Sequence, residues 1–401
     1  MTGVAATGGL SDVIRALAEE LNKAGHIAKV FMPYYKQHIA YEIASKRRLV
    51  LNGLLIPMDR QWGYSEERVS VWQIKVGKTD VYLIENDTYF NRTGKRGALY
   101  GPREDEAFLD NDERFILFNK AVLEVIRRLG FQPDIIHCND WQSGLIPVYL
   151  KEFYKNEPLF KNTATVYTIH NLRHLGQFPE STFYKTGLPR RYFSIEGIEF
   201  YGAWSSAKAG IYDADMINTV GETYVLETLT EKMSYGLYGL LRTRYNAGEY
   251  IGIPNGKPAF MSPTVSPYVY CKYDINNFKA MKPENKKCFQ SAYGLEVNPD
   301  RPLVGIVSRI DAAQKGFDLL LEKVEGITII EHILRLGGQF VIAGSGDKFL
   351  EERIERTCAE LNTKYPKQVL YLRGYSPAQQ TDKIDAASDI TVIPSIYEPF
   401  G

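Results

Sequence analysis

The chain has 401 residues, 44% hydrophobic and 24% charged, which is the composition of a folded globular protein too long for one domain of roughly 100 to 200 residues. Forty-eight basic residues balance forty-eight acidic ones, so no global field recruits nucleic acid or an anionic membrane, and any anion site has to be local. Cys138, Cys271, Cys288 and Cys358 form no CxxC pair or metal-ligand spacing, no apolar run approaches the ~20 residues of a membrane span, and no leader pattern opens the chain, so a cytoplasmic protein is expected.

Leu10, Val13, Ile14, Leu17 and Leu21 recur at helical spacing, and Gly25 closes that helix ahead of a strand over 27–32. Parallel α/β logic asks for a strand before this helix as well; little chain precedes Gly8, so that strand is expected to be short or absent and the N-terminus clipped. Strand-like runs at 69–74 and 81–84 precede a polar, Gly-rich stretch over 91–112. An amphipathic helix over about 113–129 leads into a strand over 134–138, and strands follow at 165–169 and 216–220. Short apolar strands alternating with helices indicate a parallel sheet covered on both faces. Pro254, Pro258, Pro263, Pro267 and Pro283 then crowd a stretch without clear periodicity. This predicts a linker over 254–283 between a domain over 1–253 and another over 284–401. The second α/β series has strands at 303–308, 339–343, 369–372 and 389–393, with helices from about 316, from about 348 and near 378–387. The predicted fold class is α/β, with two Rossmann-like domains whose parallel sheets face each other across a cleft.

Several strand ends carry chemistry. Thr7-Gly8-Gly9-Leu10-Ser11-Asp12 combines a glycine pair with a helix start, which lets backbone approach a phosphate; it also reads as a tight turn, and it does not match GxGxxG. Ser308-Arg309 through Gln314-Lys315-Gly316 places two cations at a strand end, suited to a diphosphate or else a solvated basic turn. Ala343-Gly344-Ser345-Gly346-Asp347 repeats that layout. In the first domain, His137 lies within its strand and reads as a buried, satisfied imidazole, whereas Asp140 and His170, just past strand ends, suit contacts to sugar hydroxyls. Asp213/Asp215 and Asp110/Asp112 look like DxD metal sites but fit capping and turn roles better, and no metal site is expected. At the far end a strand runs into a turn presenting Glu398, and ligands of open α/β sheets bind outside the carboxyl ends of strands.

Taken in order, these segments resemble the glycogen and starch synthases, retaining glycosyltransferases of GT-B fold. The likeness runs through Thr7 to Val13, Tyr100-Gly101, Asp110-Asn111 with Arg114-Phe115, His137 to Leu145, Tyr167 to Leu172, Gly176-Gln177-Phe178, Tyr235-Gly236 and Pro254-Asn255-Gly256. It continues through Val307-Ser308-Arg309, Gln314-Lys315-Gly316, Ala343 to Asp347, Gly374-Tyr375, Pro394-Ser395 and Glu398-Pro399-Phe400-Gly401. The resemblance implies glucose transfer from ADP-glucose or UDP-glucose to an α-1,4-glucan, with no cofactor, no metal, no nucleic acid and no membrane. It implies that Gly8 and Gly9 approach the diphosphate, that Asp12 orders their loop, and that Arg309 and Lys315 hold the phosphates. It further implies that Tyr375 faces the base, that Asp140, His170 and Asn255 contact glucose, and that Glu398 stabilises the reacting centre. Tyr100 and Tyr235 are acceptor-side candidates. A plastid or another glucan-storing compartment is implied for a plant-like source.

The chain departs from the family pattern at Ala6, where a lysine is usual, at Lys257-Pro258, and by one extra residue between Arg309 and Lys315. Relatives continue past Gly401, so the chain is expected to be a fragment with little transferase activity. Two other readings stay open: a GT-B transferase with a small acceptor, of sucrose or trehalose type, and a catalytically weak glucan-binding paralogue.

Overall fold

The structure is a computed structural model that describes residues 1, 4–5, 9–92, 99–101, 106–257, 259–374 and 377–400. The expected roles of Gly8 and Tyr375 fall outside them, as does the Ala6 departure. Contacts divide the chain into two compact units, Met1–Gly256 with the last residues from Pro399, and Lys257–Glu398.

The first unit contains two four-stranded sheets. One has the order β1 (Lys29–Pro33), β4 (Thr79–Glu85), β3 (Gly63–Val76), β2 (Arg48–Arg60). Only β1 and β4 are parallel; the runs expected as parallel strands at 69–74 and 81–84 lie in an antiparallel ribbon of β2, β3 and β4. Strand β2 escapes the sequence reading because it contains Gly53 and Pro57, which look like breakers. It is an edge strand, where a proline costs no ladder bond on its outer side, and Gly53 at φ 66° marks an irregular register with β3. The second sheet is fully parallel, in the order β11 (Tyr250–Gly252), β10 (Met216–Thr219), β6 (Ala164–Ile169), β5 (Ile135–Asn139). A small three-stranded sheet joins β7 (Gln177–Pro179), β9 (Ala203–Ser205) and β8 (Glu199–Phe200). The helix Asn111–Leu129 starts with Asp112 and Glu113, ends with Arg127 and Arg128, and stops at left-handed Gly130, so its charges complement its dipole.

The second unit is a parallel sheet in the order β16 (Val369–Arg373), β15 (Gln339–Gly344), β12 (Leu303–Val307), β17 (Ile390–Thr391). A short hairpin, β13 (Lys323–Val324) and β14 (Ile327–Thr328), stands beside it. Alternate residues of β15 enter opposite cores: Phe340 and Ile342 join Phe317, Ile330, Leu334 and Ile354 on one face, while Val341 and Ala343 join Phe289, Ile384 and Ala387 on the other. Two-sided burial is why these strands read as continuous apolar runs. The stretch expected to be a linker includes the start of a helix, Phe278–Tyr293, with Pro283 inside it. The crowded prolines hid that helix, whose buried Phe289 and Gln290 anchor it to the sheet. The last strand is shorter than expected, because β17 is an edge strand and Pro394 follows soon after.

Candidate active site

In the first unit, β5 and β6 are parallel neighbours with Asn139 opposite Thr168, so their ends bring Asp140 and His170 together. Asp140 adopts φ 54° and ψ −179°, a region nearly reserved for glycine and costing about 1–3 kcal/mol. It is held there on both sides: its N–H donates to Thr168 O at 2.9 Å, and its Oδ1 accepts from His170 N at 2.7 Å and Asn171 N at 3.4 Å. Burial pushes its carboxyl up to about 6 against those two bonds.

His170 Nε2 lies 2.9 Å from Asn139 Oδ1. Because Asn139 Nδ2 donates to His137 O at 3.2 Å, its oxygen is the acceptor, and His170 carries its proton on Nε2, leaving Nδ1 a lone pair. Burial holds this imidazole near 4, neutral at physiological pH. The residue His137 keeps exposed surface, but its ring is largely enclosed and hydrogen-bonded, as expected of a satisfied imidazole. Its Nε2 meets Thr168 Oγ1 at 2.6 Å, and that hydroxyl donates to Asn218 Oδ1 at 2.6 Å. Surrounding protein and the nearby His170 hold the His137 ring near 4 as well.

The other first-unit candidates sit on separate elements. Gly9 is the N-cap of the helix Leu10–Lys23 with no side-chain cap and open space beside its α-carbon, and Asp12 follows in the first turn. Asn255 lies half-buried beyond β11. Tyr100 belongs to an aromatic cluster, with ring centroids 6.1 Å from Phe115 and 6.3 Å from Trp141, and burial with the charges of Tyr35 and Asp140 raises its phenol. Tyr235 adopts a left-handed φ of 49° before Gly236, whose close packing against Tyr201 and Phe200 leaves no room for a side chain. Both DxD look-alikes are structural: Asp215 accepts from Thr165 N at 2.7 Å, Asp110 pairs with Arg92, and Asp112 pairs with Lys185 at 2.9 Å. Among the described residues no group of His, Cys, Asp or Glu is arranged to hold a metal.

In the second unit, the turn after β12 and the segment after β17 dock together. Asp311 Oδ1 accepts from Ala313 N at 2.9 Å and Gln314 N at 3.1 Å, which turns the chain back within this loop. Gly316, at φ 64°, passes so near Pro394 O that a Cβ would lie 2.0 Å away, and Ile396 N donates to Gln314 O at 2.8 Å. The result is a contact of 2.5 Å between Lys315 Nζ and Glu398 Oε1. Arg309 points elsewhere, donating to Asp311 at 3.3 Å and Gln314 at 3.4 Å, so the two loop cations do not share a partner. Alongside, Gly344 and Gly346 run against the carbonyls of Ser308 and Ile310, where a Cβ would come within 2.2 and 2.0 Å. Glycine is required at both for these loops to touch.

Among the candidates, Asp140 is brought to His170 and Lys315 to Glu398, whereas Arg309 and Lys315, expected to act together, have separate partners. Asn139 and Gln314 were missed; strand alternation from His137 to Asn139 is the signal that could have found the first.

Known proteins share the sequence and fold of this chain. The family described as the starch synthase catalytic domain matches residues 1–243. Glycogen synthase of Elusimicrobium minutum is 39% identical over 398 residues, covering 98% of this chain and 77% of that protein. Glycogen synthase of Syntrophotalea carbinolica is 36% identical over 402 residues, covering 99% and 77%. Among solved structures, the catalytic domain of starch synthase IV from Arabidopsis thaliana, bound to ADP and acarbose, aligns at a TM-score of 0.86 and 27% identity, covering 100% of this chain and 78% of that one. The fold is that of a GT-B glycosyltransferase. The chain belongs to the glycogen/starch synthase family, enzymes that transfer glucosyl units. Among the described residues no helix is long and apolar enough to cross a membrane.

Proposed function

We propose that the enzyme transfers glucose from ADP-glucose or UDP-glucose to the 4-OH at the non-reducing end of an α-1,4-glucan, with retention and without a metal, in the cytoplasm. The Lys315–Glu398 contact at the carboxyl end of the second unit's sheet carries this reading, because it sets a cation and a carboxylate side by side. ADP and acarbose bound to the Arabidopsis starch synthase IV domain support a nucleoside diphosphate sugar and a glucan as the substrates, and favour ADP-glucose.

In this reading the departing diphosphate gains charge as the glycosidic bond breaks, and preorganised cations lower that barrier. Lys315 has three N–H groups, so it can keep Glu398 in place while donating to a phosphate oxygen. Arg309, half-exposed and steadied by Asp311 and Gln314, supplies a planar donor for the same diphosphate. The family resemblance assigns Gly8, Gly9 and Asp12 to the diphosphate and Tyr375 to the base. Glu398 stabilises the oxocarbenium-like anomeric centre. Neutral His170, with a free Nδ1 lone pair, accepts from a glucose hydroxyl; Asp140 and Asn255 bind others, and Tyr100 and Tyr235 line the acceptor side.

The test supplies labelled ADP-glucose and UDP-glucose separately, with glycogen, fructose or glucose phosphate as acceptor, with and without EDTA. Label in glycogen, unaffected by EDTA and largest from ADP-glucose, is expected. Label confined to a small acceptor overturns the proposal.

A further inference from the structure

The loop after β12 carries two cations, and each is already matched by a carboxylate: Lys315 by Glu398, and Arg309 by Asp311, whose Oδ2 lies 3.3 Å from Arg309 Nη2. Asp311 divides its two oxygens between tasks. Oδ1 accepts from Ala313 N at 2.9 Å and Gln314 N at 3.1 Å and so forms the turn, while Oδ2 meets the guanidinium. The turn needs an acceptor here, which an asparagine or serine side chain also supplies. The negative charge therefore acts on the guanidinium and not on the backbone.

The chain around Asp311 is fixed. Ile310 is 1% exposed within the second unit's core, its N–H donates to Ser345 O at 3.0 Å, and its carbonyl accepts from Asp347 N at 2.9 Å. On the other side Lys315 N donates to Asp311 O at 3.0 Å. Arg309 by contrast is half-exposed, and its contacts to Asp311 at 3.3 Å and Gln314 Oε1 at 3.4 Å both come from Nη2. Both are longer than the about 2.7–2.9 Å of a strong charge-assisted bond. The Arg309 side chain can therefore swing while the loop stays in place.

We propose that Asp311 is a positioning residue that parks the Arg309 guanidinium, so that a diphosphate takes it only in competition with this carboxylate and is held less tightly as a result. The proposal rests on the nucleotide-sugar reading above, in which Arg309 meets the phosphates. Charge gives the direction: two cations against two carboxylates sum to zero, and removing the Asp311 charge leaves a net positive site. A diphosphate offers the guanidinium a bidentate grip, against one long contact to Asp311, so the phosphate prevails with its affinity reduced. Exposed ion pairs are weak, which sets that reduction at roughly two- to fivefold. It falls most on the product, because a nucleoside diphosphate carries more negative charge than the nucleotide sugar, and so favours release after transfer.

The test titrates ADP and, separately, UDP into wild type, Asp311→Asn and Asp311→Ser by calorimetry, and repeats the titrations in an Arg309→Gln background. Thermal unfolding and ADP inhibition of glucosyl transfer to glycogen are recorded beside them. Asn and Ser each keep an acceptor for the turn, so wild-type melting temperatures are expected. Both variants should lower the Kd and the inhibition constant for ADP by roughly two- to fivefold, an effect that shrinks at high salt and vanishes when Arg309 is Gln. An ADP Kd no lower than wild type in both variants overturns the proposal. So does a gain of equal size in the Arg309→Gln background, because the lost charge would then act on the ligand directly. Failure of the wild type to bind either diphosphate removes the nucleotide-sugar reading and this role with it; ADP binding that Asp311 leaves unchanged keeps that reading and removes only this role.

Discussion

Replacing Gly316 by alanine isolates the contact on which the proposed chemistry depends. Gly316 has φ 64°, where an L-residue costs roughly 1–2 kcal/mol. The new Cβ would sit 2.0 Å from Pro394 O, against the 3.4 Å at which ordinary contact begins, so the segment carrying Glu398 must retreat by about 1.4 Å. That movement pulls on the Ile396 N to Gln314 O bond of 2.8 Å and opens the 2.5 Å contact between Lys315 and Glu398. Misplacement of a reacting group by about 1 Å costs on the order of a hundredfold, so kcat for glucosyl transfer is expected to fall by about that factor. Gly337→Ala is the matched control: it too is left-handed, at φ 87°, but nothing lies within 4 Å of its Cβ, so it carries the backbone strain without the displacement. Transfer of labelled glucose, measured beside thermal unfolding, separates the two effects. Equal kcat in the two variants at similar stability would refute the argument that this docking positions Glu398.

Three further outcomes are expected. Asp140→Asn keeps an acceptor for His170 N and removes a carboxylate that burial has raised to about 6, so after allowance for partial exposure the variant should gain about 1 kcal/mol at pH 7.5 while losing transferase activity. Urea denaturation that shows it less stable than wild type would contradict this. His170 has its pKa lowered to about 4 from an ordinary 6.5, so the unfolded chain takes up the proton first. Its stabilising contribution is fully present above pH 6.5 and is lost as pH falls toward 4, whereas Asp140 acts with the opposite sign below about 6. His170→Asn should therefore flatten the loss of stability between pH 6.5 and 4.5, and parallel pH–stability curves would exclude this. Finally, Asp389→Ala strands the Lys286 ammonium, whose side chain is 6% exposed and whose Nζ meets Asp389 at 2.8 Å and Pro299 O at 3.0 Å. A loss of about 3 kcal/mol is expected, with much of it restored by adding Lys286→Met; an unchanged melting temperature for the single variant would argue against it.

The sequence by itself determined most of the framework. Two-sided burial makes parallel strands continuous apolar runs, so the runs at 165–169, 303–308 and 339–343 were legible in the sequence to within a residue of the strands formed. Helix ends were equally plain where charge and glycine agree, as at Gly130. Residues at strand ends flagged Asp140, His170, Lys315 and Glu398 as candidates, because position along one strand is a local property. Tertiary structure alone decided what those residues touch. Strand β2 forms despite Gly53 and Pro57 because an edge tolerates both, and the His137 ring finds Thr168 only because β5 lies beside β6. Arg309 and Lys315 look like one phosphate clamp in sequence, yet the turn at Asp311 sends them to different partners. Lys315 meets Glu398 across 83 positions of chain, and only the close approach of Gly316 to Pro394 brings that about. Local propensity acts over a few residues, whereas such a contact depends on two loops arriving at the same edge of one sheet.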